Sequence, residues 1–188
     1  IHFSGEIHRN ANRLLQLIND TIRLSELDAV HMEIVTEKLD VYELAQNCVD
    51  TLQVKADKME VTIRIAGEPC ILETSREMIN ELLYNLCDNA IRYNKKGGRV
   101  LVLVGENEYK EKYIEVKDNG IGIPMEYQER VFERFYRVDK SRSKETGGTG
   151  LGLAIVKHII VQLHARLEMD SEEGKGTMMR IVFAKKEN

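Results

Sequence analysis

Positions Ile7, Ala11, Leu14, Ile18, Thr21 and Ser25 follow alternating steps of four and three, and Leu15 and Ile22 widen the stripe. That period predicts one amphipathic helix over about residues 4–27. Arg9, Asn10, Asn12, Arg13, Asn19 and Asp20 lie largely off the seam. A lone helix cannot bury such a stripe. Partner helices are therefore expected, most economically from a second copy of the chain in a bundle.

Downstream the period changes repeatedly. A short strand is expected at 32–35, and then Asp40 as an N-cap with Glu43 as its capping-box partner, opening a helix to about Asp57. Val61, Ile63 and Ile65 alternate with Thr62 and Arg64 as a half-buried strand. A helix over 75–93 ends before the turn Lys95-Lys96-Gly97-Gly98. The apolar run 100–104 reads as a buried strand, paired through a polar hairpin with 113–117. A polar, Gly-rich stretch over 138–150 precedes a helix starting near Leu151, and strands at 166–170 and 177–183 close the chain. One layer of helices against a mostly antiparallel sheet makes the expected fold class α+β, a two-layer α/β sandwich.

Composition narrows the function classes. The 188 residues suffice for one domain plus a short appendage, and 43% hydrophobic with 31% charged residues excludes a disordered chain. A net charge of −4 gives no support to a nucleic-acid partner, and none is expected. No apolar run approaches the roughly 20 residues that span a bilayer and no signal peptide opens the chain, so the expectation is a soluble protein. Cys48, Cys70 and Cys87 show no paired spacing, which argues against a zinc site or a disulfide framework and for small buried hydrophobes.

The helix over 75–93 carries two faces. At about 100° per residue, with Glu81 at zero, Asn85, Asn89, Arg92 and Asp88 fall within about 80° of it, while Ile79, Leu82, Leu83, Leu86 and Ala90 lie on the far side. A solvated face is one reading, but such faces usually carry Lys and Glu pairs, and asparagines are poor helix formers. Carboxamide oxygens suit a hard cation that keeps several waters, as Mg²⁺ does when shared with phosphates. A carboxylate one turn away suits orientation or deprotonation of an attacking group.

Two glycine clusters follow. Asp118-Asn119-Gly120-Ile121-Gly122-Ile123 leaves a strand and turns at once; it is either a plain turn or a close approach to a flat ligand, with Asp118 placed to accept from an exocyclic amine. Gly147-Gly148-Thr149-Gly150-Leu151-Gly152 feeds a helix N-terminus, an anion site by its free N–H groups; a ligand-free hinge is the alternative. It is not a Walker loop, since no Lys-Ser/Thr follows. Arg134, Arg137, Lys140, Arg142 and Lys144 lie just upstream. Phe132 and Phe135 are expected to pack the base of this loop on the core.

In order, these blocks resemble the ATP-binding domain of sensor histidine kinases, in the superfamily shared with DNA gyrase B, Hsp90 and MutL. The N box is Glu81-Leu-Leu-Tyr-Asn85-Leu-Cys-Asp-Asn89-Ala-Ile-Arg92-Tyr93, the glycine boxes are 118–122, 148–153 and 174–177, and the F box is 132–137. The resemblance implies a Bergerat fold over residues 30–188, preceded by residues 1–29 as the second helix of a dimerisation and phosphotransfer bundle. Phe3-Ser-Gly5-Glu6 has Gly5 where the phospho-accepting histidine would stand, so that helix is expected to lie outside this chain and His8 to be an ordinary bundle residue.

The resemblance further implies ATP and Mg²⁺ as cofactors. Asp118 would bind the adenine amine and Tyr93 pack on the ring. Asn85 and Asn89 would hold Mg²⁺ and phosphate, with Arg92 and Arg137 on the phosphates and Glu81 assisting transfer. Gly120, Gly122, Ile123, Gly148, Thr149, Gly150, Leu151, Gly152 and Thr177 would line the nucleotide. Catalysis would fall to Glu81, Asn85 and Arg137, and residues 138–147 would form an ATP lid. The implied partners are a second copy, the phospho-accepting helix of the full-length protein and a response-regulator receiver domain. The domain would be cytoplasmic and the whole protein membrane-anchored. A gyrase- or chaperone-like ATPase and a nucleotide-responsive scaffold are the rival readings.

Overall fold

In the computed structural model, which describes residues 2–28, 34–138 and 148–184 (backbone alone for 2–6, 8, 9, 12 and 13), the first helix α1 spans His2–Asp28, close to the expected span. Ile7, Leu14, Leu15, Ile18 and Ile22 are each more than half exposed along it, whereas Leu24 and Leu27 are buried against the rest of the chain. Leu17, Leu24 and Leu27 thus give the second half of α1 its contacts with the core.

The strand expected at 32–35 falls partly outside the described residues. Residues 32 and 33 lie outside the described residues, 34–36 are irregular, and strand β1 is Glu37–Asp40. It pairs antiparallel with β3 (Ile71–Thr74), an element the hydrophobic pattern did not predict. Asp40 does cap α2 (Val41–Lys58): its carboxylate accepts the N–H of Tyr42 at 3.0 Å and that of Cys70 at 2.9 Å. One side chain therefore starts the helix and ties it to the approach to β3. Glu43 sits in the first turn, where its charge suits the helix dipole.

The main sheet has the order β2-β4-β5-β7-β6, built from β2 (Thr62–Gly67), β4 (Arg99–Glu106), β5 (Lys112–Asp118), β6 (Ala165–Glu172) and β7 (Gly176–Phe183). Only β2 and β4 run parallel; the other pairs are antiparallel. Period-two burial selects one face. Val100, Val102 and Val104 stand opposite Asp118, Val116 and Ile114, and Ile114 and Val116 face Ile181 and Met179. Apart from Asp118 these side chains are buried in a single core with those of α2, α3 (Arg76–Arg92) and α4 (Gly152–Gln162). The helices pack on that face, so the fold is the expected α+β sandwich with a mixed, mostly antiparallel sheet preceded by one helix. Among the described residues no helix is long and apolar enough to cross a membrane.

Helix α3 positions the site. Ser75 caps it by accepting from the Met78 N–H, and it ends at Tyr93. Ile79, Leu82, Leu83, Leu86 and Ala90 are all buried, as the helical period requires. That leaves Asn85 and Asn89 half-buried along its other side.

Candidate active site

The Asn85 amide donates to the Glu81 carbonyl one turn back at 2.9 Å, which fixes the direction of its remaining oxygen. That oxygen faces the start of α4. A Cβ placed on Gly152 would stand 2.7 Å from Asn85 Oδ1 and 3.7 Å from Asn89 Nδ2. Only a glycine lets the α4 N-terminus, with its free N–H groups, come this close to both carboxamides. The next residue back offers backbone alone: the Leu151 side chain is fully buried in the core, and its N–H donates to Thr149 Oγ1 at 3.3 Å.

Asp118 ends β5. Its carboxylate accepts the Gly120 N–H at 2.8 Å and the Thr177 N–H. Burial pushes the carboxyl above its ordinary range, and those two N–H groups pull against it. The turn that follows is laid across the C-terminus of α3. The Ile121 N–H donates to the Tyr93 carbonyl at 3.1 Å, and a Cβ on Gly120 would lie 2.5 Å from that same oxygen. Gly122 has φ +66° and its added Cβ would lie 2.0 Å from the Glu172 carbonyl oxygen. The Ile123 N–H donates to Ser171 Oγ at 2.8 Å, and the Ser171 and Thr177 hydroxyls are 2.8 Å apart. Asp118, Gly120, Gly122, Ile123 and Thr177 therefore form one cluster at the sheet end.

Tyr93 joins this cluster to the second glycine turn. Its ring is 38% exposed, and its hydroxyl would be 3.5 Å from a Cβ on Gly148, with Arg137 Nη2 at 3.3 Å. Arg137 donates to the Gly148 carbonyl. Gly150 has φ +76°, and its carbonyl accepts the Phe135 N–H at 2.9 Å. The described part of the glycine-rich stretch is thus strapped to the 132–137 segment on one side and to α3 on the other. Residues 139–147, which hold Lys140, Arg142 and Lys144, lie outside the described residues.

Two residues sit differently from expectation. Asp88 is buried, not part of an open polar stripe: it pairs with Lys55 of α2 and, at 2.7 Å, with Arg92. A carboxylate at that depth needs such partners. Arg92 is thereby anchored to Asp88 while staying partly exposed. Phe132 packs on the core as expected, but Phe135 is 60% exposed, because a φ of +62° turns it outwards as its N–H reaches Gly150.

Glu81 is engaged by α1, a contact across 58 positions that no sequence pattern signals. Arg23 Nε lies 2.6 Å from Glu81 Oε2, and Arg23 Nη1 lies 3.1 Å from both Glu26 and Glu77. Burial, helped by the Glu77 and Asp20 charges, pushes the Glu81 carboxyl above its ordinary range against the pull of Arg23. Burial also works against the Arg23 guanidinium, but Glu81, Glu26 and Glu77 outweigh it and raise its pKa. Further bonds repeat along the helix end. Thr149 donates to Asp20 at 2.6 Å, Arg134 lies 2.7 Å from Asp28, and Gln162 donates to the Leu27 carbonyl at 3.1 Å. Arg23→Ala would leave a largely buried Glu81 without its partner; we expect a loss of about 1–3 kcal/mol, read by urea unfolding. A loss below a few tenths would show that α1 is not held there.

Among the described residues no cluster of three or more His, Cys, Asp and Glu stands ready for a metal. An open groove lined by Gln128, Arg130, Phe132, Lys157, Leu167 and Met169 borders the 132–137 segment but holds none of the carboxamides, Asp118 or the glycine turns.

A helix amide face, a strand-end carboxylate and glycine turns packed against both are the features of one ATPase class. Residues 74–187, more than half of the chain, match the model of the histidine kinase-, DNA gyrase B-, and HSP90-like ATPase family. The chain belongs to that family. Within it the chain is similar to sensor kinases. It is 36% identical over 177 residues to the sensor histidine kinase WalK of Bacillus subtilis, covering 93% of this chain and 29% of that protein. It is 33% identical over 182 residues to a sensor protein kinase WalK of Staphylococcus aureus, covering 96% of this chain and 44% of that protein. Among solved structures, the mycobacterial sensor histidine kinase MprB superposes with a TM-score of 0.68 at 26% identity, covering 79% of this chain and 97% of that one. The chain spans less than a third of the length of the Bacillus subtilis relative.

Proposed function

We propose that this chain is the catalytic domain of a two-component sensor histidine kinase, binding ATP with Mg²⁺ and presenting it to a histidine on a helix outside residues 1–188. One observation carries the reading: Asn85 and Asn89 stand against Gly152 while Tyr93 links the same helix to Asp118 and to Gly148. The donor set fits the group. Neutral carboxamide oxygens suit a hard cation shared with phosphates, and the glycines supply backbone N–H groups without side chains in the way.

When bound, ATP supplies the γ-phosphoryl group and Mg²⁺ the charge neutralisation. The chain's own residues hold and orient. Asp118 accepts from the adenine amine, with Gly120 and Gly122 bringing the backbone close. Tyr93, whose ring lies half-open between the two glycine turns, packs against the base, with Ile123 and Thr177 beside it. Asn85 and Asn89 hold the metal and phosphates, and Gly148, Thr149, Gly150, Leu151 and Gly152 contribute backbone N–H groups. Arg92 and Arg137 face the phosphates. Glu81 assists transfer once Arg23 releases it. Positioning and neutralisation provide most of the catalysis in such transfers.

Residues 1–29 belong, in this reading, to a dimerisation bundle, and the exposed row Ile7, Leu14, Leu15, Ile18 and Ile22 packs against a second copy. The phospho-accepting helix of the full-length protein and a response-regulator receiver domain are the further partners, and the full-length protein is anchored in the membrane with this domain on the cytoplasmic side. The test is labelling with γ-³²P-ATP. This chain alone is expected to stay unlabelled, and a longer one that includes the upstream helix to acquire acid-labile, alkali-stable phosphate. Steady ATP hydrolysis with no phosphohistidine in the longer chain would replace this reading with a water-using ATPase.

A further inference from the structure

Three charged side chains form one network between α2 and α3. Asp88 and Arg92 stand one turn apart on α3, and Lys55 comes from α2. The Asp88 carboxylate divides its oxygens between the two cations. Oδ2 accepts from Arg92 Nη2 at 2.7 Å, and Oδ1 accepts from the Lys55 ammonium. The Asp88 and Arg92 side chains are 11% and 17% exposed, and that of Lys55 is 34% exposed. Leu52 and Ala56, beside Lys55 on α2, are buried. The lysine stem therefore starts at the edge of the packed face, and its ammonium reaches across to α3.

An i, i+4 pair on an open helix face contributes little and is screened by water. This pair is shielded and has a third member. A carboxylate with one partner turns about its Cβ–Cγ bond and meets a guanidinium through either oxygen or through both. Lys55 takes one oxygen, which leaves Arg92 the other and fixes the plane in which the guanidinium is held. Arg92 alone would already neutralise Asp88; the second cation adds a fixed direction.

We propose that Lys55 is a positioning residue: acting through Asp88, it aims the Arg92 guanidinium at the phosphates of the bound nucleotide. This rests on the nucleotide-binding reading, in which Arg92 faces those phosphates. Without Lys55 the carboxylate turns and Arg92 follows it. A misplaced positioning group costs affinity for the part of the ligand it meets. The adenine end, at Asp118, is built by the sheet end and is left as it was.

The experiment titrates the full chain and its variants with Mg·ADP and with adenosine, with circular dichroism as the check of fold. Lys55 is partly exposed, so a methionine of similar length should be tolerated there. Lys55→Met is expected to raise the Kd for Mg·ADP on the order of tenfold and to leave that for adenosine within about twofold. Lys55→Arg, which returns a cation to Asp88, should recover most of the Mg·ADP affinity. Asp88→Asn separates direction from charge. It removes an anion beside the phosphates while it releases Arg92, so a bare field effect would tighten Mg·ADP and lost positioning weakens it. With Arg92→Gln already in place, Lys55→Met should change nothing further, because the two act as one unit. That cycle decides the matter even where Asp88→Asn does not fold.

Equal losses for Mg·ADP and adenosine, or lower stability with both affinities unchanged, would reduce Lys55 to a structural tie and overturn the proposal. Additive effects of Lys55→Met and Arg92→Gln, or tighter Mg·ADP binding by Asp88→Asn, would overturn it as well. All four outcomes leave the nucleotide reading standing. An unaltered chain that binds neither ligand overturns that reading and the role of Lys55 with it.

Discussion

Asp118→Asn is expected to abolish most of the thermal stabilisation by Mg·ADP while far-ultraviolet circular dichroism stays native. At nucleotide a hundredfold above Kd, linkage stabilises the unaltered chain by about 2.7 kcal/mol, which for a domain of this size is a Tm rise of about 5–11 °C. The Asp118 carboxylate already accepts the N–H groups of Gly120 and Thr177. An asparagine keeps its one oxygen on those donors and turns its NH₂ towards the ligand's amine, donor against donor. Losing a charged hydrogen bond costs about 1.5–3 kcal/mol, and the remaining stabilisation then falls to about 1.3 kcal/mol or less. Backbone bonds elsewhere are untouched, so the fold should survive. A full thermal shift in the variant would remove Asp118 from the nucleotide.

Gly176→Ala should cost much of the chain's stability, and Gly174→Ala, two residues away, should have little effect. Gly176 has φ +116°, and a Cβ there would stand 2.1 Å from the Asp118 carbonyl oxygen and 2.7 Å from Asn119 Cα. Both neighbours are backbone, so the start of β7 and the end of β5 must separate. Backbone strain and overpacking together are expected to cost roughly 2–5 kcal/mol, and Thr177 would be pulled away from Asp118, taking the Mg·ADP response with it. Gly174, at φ +79°, has nothing within 4 Å of an added Cβ. Its substitution carries strain alone, about 1 kcal/mol. Urea unfolding of the two variants compares them directly, and equal losses would mean that the close approach of Gly176 to Asp118 is not what the protein depends on.

Where a long period or a turn residue set the local structure, the sequence was readable. The buried row Ile79, Leu82, Leu83, Leu86 and Ala90 of α3, the Asp40 cap and the strand 100–104 follow from spacing alone. β1 and β3 did not, because a four-residue, half-exposed pair such as Glu37–Asp40 and Ile71–Thr74 carries almost no alternation and is held by partners 31 to 37 positions apart. Helical geometry put Asp88 with the asparagines, and nothing local revealed that Lys55 reaches it from α2. For the same reason the grip of Arg23 on Glu81 and the bond from Thr149 to Asp20 escaped notice: each joins elements whose approach is decided by core packing. The phenylalanines show the reverse error. Hydrophobicity put both inwards, and one left-handed backbone angle turned Phe135 to solvent.

The most direct measurement is an amide chemical-shift titration of the isotope-labelled chain with Mg·ADP. Signals of Asn85, Asn89, Gly120, Gly122, Gly150 and Gly152 are expected to move together along one binding curve. Shifts confined to Gln128, Arg130, Phe132, Lys157, Leu167 and Met169, with those six amides stationary, would place any ligand in the separate groove and contradict the account.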